Sequence, residues 1–405
     1  MSSLGLYVHI PFCPQICPYC AFASLTGGED QYDRYVEAVC AELRAARQEV
    51  GPRELETVFF GGGTPSKLDP LQLSGILETA AQCFGLAPGG EITFEANPGT
   101  ADFAKFRRFR EAGFNRLSIG VQSFAPESLK ALGRVHSATE AERAYWVGRE
   151  AGFDNINLDL IFGVPGMPMA HWEDSLERVV ELKPEHVSTY GLTVEEGTVL
   201  AERVRLGRLE PVDEDLEAQA YEWAIERLTG AGYEHYEVSN FALVGRRARH
   251  NWACWMGEEY LGVGLSAHSF LGGVRSWNVG DLQAYMDTVE AGQLPCAGRE
   301  EIDPPTAFRE RVWMGLRTCV GVQLTPVQRS VLADQERFKA LVEEDLVELT
   351  GLRLSLSRRG RLLADGLGVE LLEMLEQVPE FDGSDPPSEY DWAGDTDQLI
   401  APTEG

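Results

Sequence analysis

Cys13, Cys17 and Cys20 stand at C-x3-C-x2-C spacing inside the stretch Tyr7-Val8-His9-Ile10-Pro11-Phe12-Cys13-Pro14-Gln15-Ile16-Cys17-Pro18-Tyr19-Cys20. Prolines at 11, 14 and 18 fix φ and remove backbone donors, so neither a regular helix nor a central strand runs through the thiols. The chain must wrap there as a loop, and converging thiolates on a loop make a nest for a metal. Zinc takes four protein ligands, or three and a water, commonly in paired C-x2-C knuckles. A [4Fe–4S] cluster also takes thiolates, and three cysteines leave one of its irons open. An open iron suits S-adenosylmethionine (SAM), whose amino and carboxylate groups can chelate it. Three ordinary thiols are the plain alternative, and their density among Pro and aromatic residues argues against it. Zinc and cluster both stand at this point.

Other groups with chemistry fall at regular intervals. Apolar, strand-like runs cover Leu6–Ile10, Thr57–Phe60, Glu91–Ala96, Arg116–Gln122, Asn155–Phe162 and His186–Leu192. Helical patterns lie between them at Asp33–Gln48, Leu71–Phe84, Phe103–Ala112 and Thr139–Ala151, with Asp69-Pro70 and Ser137-Ala138-Thr139-Glu140 as starts and Gly113 and Gly152 as stops. Strand and helix in alternation predict an α/β fold built on a parallel barrel or sheet. Each strand ends in a polar or glycine signature: the cysteine loop, Gly61-Gly62-Gly63-Thr64, Glu95-Ala96-Asn97, Gly120-Val121-Gln122, Asp159 and Tyr190. Functional residues of α/β barrels gather at the C-terminal ends of strands, so these sites are expected to line one mouth. There the Gly61–Gly63 amides could hold a carboxylate or amino acid end of a ligand. Glu95 could meet an ammonium or ribose, Gln122 and Asp159 could accept from ribose hydroxyls, and Arg134 could meet a carboxylate. Singly, each such group reads as a solvated side chain. As a set on successive strand ends they read as a binding site.

After about residue 200 the rhythm changes. Asp213–Thr229 reads as an amphipathic helix, Tyr233–Phe241 as a strand, and His250–Phe270 as a segment rich in aromatics, glycine and histidine. Thr306–Thr318 and Thr325–Glu344 read as helices, and Leu352–Ser357 with Arg361–Leu363 as a small hairpin, which together predict a winged-helix-like C-terminal domain. The arginines at 353, 358, 359 and 361 make only a weak basic face. The boundaries expected are 1–200 for the barrel, 201–300 for an extension of it, 301–375 for the C-terminal domain, and 376–405 for an acidic disordered tail.

Composition sets limits. The chain has 405 residues, 44% of them hydrophobic, and no apolar run long enough to span a bilayer. The first residues show neither a signal nor a transit pattern. Five further cysteines are scattered as neutral thiols, which predicts a reducing, cytoplasmic setting that also suits an oxygen-sensitive cluster. A formal net charge of −29 argues against nucleic acid as a partner.

The cysteine loop with an aromatic before its last Cys, followed by Gly-Gly-Gly-Thr-Pro, resembles the radical SAM superfamily. More closely, Tyr-x-His-Ile-Pro-Phe-Cys, Glu95-x-Asn97-Pro98, Ser118-x-Gly120-Val121-Gln122-Ser123, Leu132-Gly133-Arg134-x-His136 and Asp159-Leu160-Ile161-x-Gly163-x-Pro165-Gly166 resemble the HemN/HemW family of coproporphyrinogen dehydrogenases and heme chaperones, over about residues 4 to 370. The resemblance implies a partial (β/α)6 TIM-like barrel. It implies Cys13, Cys17 and Cys20 on a [4Fe–4S] cluster, with Tyr7, Gly62, Gly63, Thr64 and Glu95 on the cluster-bound SAM. Tyr19, Gln122, Arg134 and Asp159 match positions that surround a second SAM in the dehydrogenases. That branch carries a further cysteine two residues after the third, whereas this chain reads Cys20-Ala21-Phe22, the chaperone pattern. The chaperones also carry His-Asn-x-x-Tyr-Trp, a motif associated with heme, and here His250-Asn251-Trp252-Ala253-Cys254-Trp255 replaces Tyr by Cys254. His250 is therefore expected at heme, with Cys254 as an alternative ligand and His268 as a weaker candidate. The expected function is a heme chaperone that binds heme and passes it to an acceptor protein. The alternative is oxygen-independent coproporphyrinogen III dehydrogenase, an oxidative decarboxylase. Homodimerisation and peripheral contact with membrane proteins are both compatible with the sequence.

Overall fold

A computed structural model describes residues 3–376 of the chain. The expected acidic tail falls, from residue 377 on, outside the described residues. The chain divides into two compact units, Met1–Ile302 and Asp303–Gly405.

The first unit is built on six parallel strands joined by helices: β1 Ser3–Ile10, β2 Glu54–Gly62, β3 Leu86–Ala96, β4 Arg116–Gln122, β5 Ile156–Phe162 and β6 His186–Gly191. Six further strands extend this sheet: β7 Glu234–Glu237, β8 Asn240–Ala242, β9 Tyr260–Val263, β10 His268–Leu271, β11 Val274–Asn278 and β12 Cys296–Glu301. The 12-stranded order is β12-β11-β10-β9-β1-β2-β3-β4-β5-β6-β8-β7, with β9 parallel to β1 and β8 antiparallel to β6. Residues 201–300 thus add strands to both edges of the sheet.

Period-two alternation sorts the side chains. On β1, Leu4, Leu6, Val8 and Ile10 are buried, while Tyr7 stacks on Phe59 and its hydroxyl meets His9. Outside β3 and β4, Phe94 packs on Phe106, Phe109 and Phe114 beneath the helix Phe103–Glu111. Two helices begin at the caps the sequence indicates. Asp69 and Ser137 both close full capping boxes, with Gln72 and Glu140 respectively, before Pro70–Phe84 and Ala138–Glu150.

Three elements differ from expectation. Tyr233–Phe241 is two strands, because the Glu237 carboxylate accepts from the Ser239 N–H and from Asn240 Nδ2 and turns the chain between them. Thr325–Glu344 is two helices, Pro326–Asp334 and Glu336–Glu343, broken where Gln335 is extended. The hairpin pairs Val347–Thr350 with Arg353–Leu356, turning at Gly351 (φ 62°), and residues 358–361 are helical because Ser357 caps them.

In the second unit a helix Pro304–Gly315, the strand Val322–Gln323, the two helices just named and the hairpin follow one another, and the helix Ala364–Glu376 ends the described chain. Phe308, Val312, Leu332, Phe338, Leu354 and Leu371 form its core. Among the described residues no helix is long and apolar enough to cross a membrane.

Candidate functional site

The cysteine loop leaves β1 at Pro11 and is fastened from several sides. Leu25 N–H donates to Pro11 O at 2.7 Å, Thr64 N–H to Phe12 O at 2.9 Å, and Leu200 N–H to Pro18 O at 2.8 Å. Gln15 Nε2 donates to Gly133 O at 3.0 Å, and a Cβ on Gly133 would lie 2.5 Å from Pro18 Cδ. Cys13, Cys17 and Cys20 are unbridged and half-buried. Thr64 Oγ1 donates to Cys13 Sγ at 3.6 Å, and Arg134 Nη1 to Cys17 Sγ at 3.4 Å. Burial pushes the Cys13 thiol up, against the Thr64 hydrogen bond, and neighbouring Cys20 and Cys17 push it further.

Among the described residues no group of three or more His, Cys, Asp or Glu converges tightly enough to grip one ion. An iron–sulfur cluster binds each thiolate on a different iron and so spaces them more widely. Three free thiols that sense one another's charge, with a guanidinium and a hydroxyl beside them, fit that group.

The Gly61–Gly63 turn is glycine for three separate reasons. A Cβ on Gly61 would lie 2.7 Å from the Phe59 ring, one on Gly62 2.4 Å from the His9 imidazole, and one on Gly63 2.7 Å from the Pro11 carbonyl. Gly62 also has φ 106°. Replacing Gly62 by Val is expected to cost about 1–3 kcal/mol through backbone strain alone, and to displace His9. Calorimetric SAM titration beside a denaturant melt checks this, and a melt like that of the wild type would show that the turn accepts a side chain.

Behind the turn the barrel interior is polar. Glu95 Oε2 accepts from the Gly62 N–H at 3.3 Å. Burial first, then the Asp159 charge, pushes the Glu95 carboxyl up to about 8, against the Gly62 amide and Arg116. Asp159, also raised by burial, accepts from Asn157 Nδ2 at 2.7 Å and from Ser118 Oγ at 3.2 Å. Tyr7 keeps its phenol proton through burial and the nearby Glu95 charge, and its hydroxyl meets His9 Nδ1 at 3.0 Å. Because His9 Nε2 faces Ala23 O at 2.8 Å, Nε2 carries the ring proton and Nδ1 accepts from Tyr7. Two half-buried carboxyls with no salt bridge among the described residues suit a cationic ligand, and the ammonium and sulfonium of SAM supply that charge.

Tyr19, Gln122 and Arg134 gather on the rim. Arg134 Nη2 donates to Gly120 O at 2.9 Å. Gln122 takes a left-handed φ of 67°, which folds it back so that a Cβ on Gly120 would sit 2.9 Å from its Nε2. Tyr19 packs on Leu132, Ile161 and Val164, and burial holds its phenol protonated. Asp159 bonds Ser118 and Asn157 rather than this rim group.

His250 is placed apart from the mouth. It is 5% exposed, stacks on Phe59, and its Nδ1 meets Thr57 Oγ1 at 2.9 Å. Burial first, then Arg116, pushes its pKa down to about 4. Its helix, Arg249–Trp255, is seated by Glu91, whose carboxylate accepts the N–H groups of Arg249 and His250 at 3.1 Å each, with Arg116 4.0 Å away. The expectation of a heme contact at His250 thus meets a ring enclosed beneath the barrel. Cys254, the alternative ligand, is pushed up to about 11 by burial and by Glu258, so it stays a thiol. His268 is exposed and stacks on Trp277.

Sequence reasoning assigns no role to Arg116, and it places Ser118, Asn157 and Ser188, whose Oγ donates to Asn157 Oδ1 at 3.2 Å, only within strand-end signatures and motifs. Their signal is the period-two run of polar residues on buried strands, Glu91-x-Thr93-x-Glu95 and Arg116-x-Ser118, which marks an inward polar face.

The profile of the Radical SAM superfamily matches residues 7–179. The chain is 39% identical to "Heme chaperone HemW" of Mycobacterium tuberculosis over 91% of this chain and 94% of that protein. It is 34% identical to that of Bacillus subtilis over 89% and 96%, and 40% identical to that of Escherichia coli over 66% and 70%. The solved coproporphyrinogen III oxidase HemN of Escherichia coli superimposes with a TM-score of 0.79 at 23% identity, covering 92% of this chain and 90% of that one, a likeness of fold alone.

Proposed function

Since this chain belongs to the radical SAM superfamily and, within it, to the HemW family, we propose that it is a heme chaperone, binding heme and passing it to an acceptor protein while holding a SAM-ligated [4Fe–4S] cluster on Cys13, Cys17 and Cys20. The supporting observation is the loop itself: three free thiols fastened beside a glycine turn and a half-buried Glu95, followed by Ala21 and Phe22 where the dehydrogenase pattern has another cysteine. The cluster, when bound, supplies an iron open to the amino and carboxylate groups of SAM.

The chain's own residues do the rest. Gly62 and Gly63 allow close approach, Thr64 and Arg134 stabilise thiolates, and Glu95 with Asp159 offers negative charge to a cationic ligand. Tyr19, Gln122 and Arg134 offer a second polar surface at the rim. The second unit we read as winged-helix-like and as a docking element for the acceptor. The net charge of −29 speaks against nucleic acid. A reducing cytoplasm is the setting that suits free thiols.

The protein is expected to bind hemin, seen as a Soret change, and to yield no protoporphyrinogen from coproporphyrinogen III with SAM and reductant. Product formation would establish the decarboxylase reading instead, and absence of heme binding would remove the chaperone one.

A further inference from the structure

The six parallel strands hold one lysine or arginine between them, Arg116 at the start of β4. It is 2% exposed. Its ion pair is with Glu91, Nε to Oε2 at 4.0 Å, too long for a hydrogen bond, and Nε has no hydrogen-bond partner. A guanidinium carries five N–H donors, and enclosing its charge without close acceptors is costly.

Strand register shows what that charge faces. Glu91, Thr93 and Glu95 share the inward face of β3, where Arg116 pairs with Thr93 and Ser118 with Glu95. Arg116 is thus flanked by a carboxyl toward each end of β3. Ser118 pairs with Asn157 of β5, and both side chains donate to Asp159. Glu91 already accepts from the N–H groups of Arg249 and His250, and Glu237 from the turn between β7 and β8. Glu95 and Asp159 have no such arrangement with a cation. Burial first pushes both carboxyls up, Asp159 adds to this at Glu95, and their hydrogen bonds and Arg116 oppose it.

The other ionisable groups around this space are neutral. Burial pushes His9, His186 and His250 down and keeps the phenols of Tyr7, Tyr190 and Tyr236 protonated. Arg134, on the rim, is engaged by Cys17 and Gly120. Arg116 is therefore the fixed positive charge behind the two carboxyls.

We propose that Arg116 is a positioning residue for SAM, whose charge beneath Glu95 and Asp159 lets both stand ionised together when the sulfonium arrives. The proposal rests on the SAM reading above and adds a residue that acts through the two carboxylates.

The test is calorimetric SAM titration of the full-length, cluster-loaded protein from about pH 6 to 9. Iron content and a denaturant melt accompany each variant. Arg116→Met keeps an apolar stem and removes the charge. It is expected to move the pH at which affinity rises upward by about one unit, weakening SAM about tenfold at pH 7 and little at the alkaline end. Arg116→Lys, which restores the charge, should return the wild-type profile. Glu91→Gln, which leaves Arg116 uncompensated, should move the profile the other way, and it serves as the test if Arg116→Met does not fold. The amino group of SAM titrates alike in every variant, so the differences between variants carry the result. An unmoved profile in either folded variant would overturn the proposal. The same upward move in Arg116→Lys would also overturn it, by marking a structural arginine. If the wild type binds no SAM, the SAM reading itself falls.

Discussion

Exchange of Cys17 for Ser is expected to leave anaerobically reconstituted protein with almost no bound iron, against about four irons per chain in the wild type. The reason is local. Proline at 14 and 18 and the bonds to Gly133 and Leu200 hold the loop in one path, so no other thiol can take the place of Cys17. Of the remaining cysteines, Cys40 is buried against Thr79 and Gly75, and Cys254 is enclosed as a thiol. Loss of Cys17 also takes the Sγ partner from Arg134 Nη1, leaving that guanidinium its Nη2 bond to Gly120 O. Iron and sulfide analysis with the visible spectrum decides it. A full complement of iron in the Ser variant would remove these thiols from the metal.

The second large effect concerns Glu95. In the free protein burial and Asp159 hold its carboxyl up at about 8, so at neutral pH it is mostly protonated. Its pKa is higher folded than unfolded, so the native state binds the extra proton between about pH 4.5 and 8. Stability contributed by this group therefore falls as pH rises through that window, by at most about 1.4 kcal/mol per pH unit. A cationic ligand reverses the preference. SAM binding at pH 7 should release protons, and affinity should rise between pH 7 and 8.5. Glu95→Gln should weaken SAM roughly ten- to hundredfold, abolish most of the proton release, and flatten the fall in stability between about pH 4.5 and 8. Titration calorimetry in buffers of different ionisation enthalpy measures the first two, and denaturant melts across that pH range measure the third. Unchanged proton release in the Gln variant would mean that another group, Asp159 first, carries the linkage.

Much of this site could be read from residue spacing. The cysteine loop, the glycine turn and the strand ends at Glu95, Gln122 and Asp159 are local patterns, each set by a few neighbouring residues. Helix starts at Asp69 and Ser137 were legible because a capping box is written within four residues. What spacing conceals is long-range pairing. The strand Tyr260–Val263 has four residues and owes its existence to β1, some 250 positions earlier. The enclosure of His250 depends on Glu91, Thr57 and Phe59, none of them near it in sequence. A His-Asn pair followed by two tryptophans carries no sign of those partners in its own neighbourhood. Similarly, the Thr325–Glu344 break follows from an extended Gln335, a residue with no strong turn signal of its own.

The place of β1 in the sheet bears on how the chain is made. β2 can pair with β1 as soon as it leaves the ribosome, yet the other edge of β1 waits for Tyr260–Val263. At roughly 5–20 residues per second, that interval is on the order of ten to fifty seconds. During it the strand carrying Leu4, Leu6, Val8 and Ile10 presents unpaired backbone, the kind of edge that invites pairing with other chains. The thiols at its end are synthesised early as well, long before the helix Arg249–Trp255 closes the barrel from below. Metal delivery during translation would thus meet an unfinished vessel, and slow synthesis through the middle of the gene would lengthen the exposure of both edge and thiols.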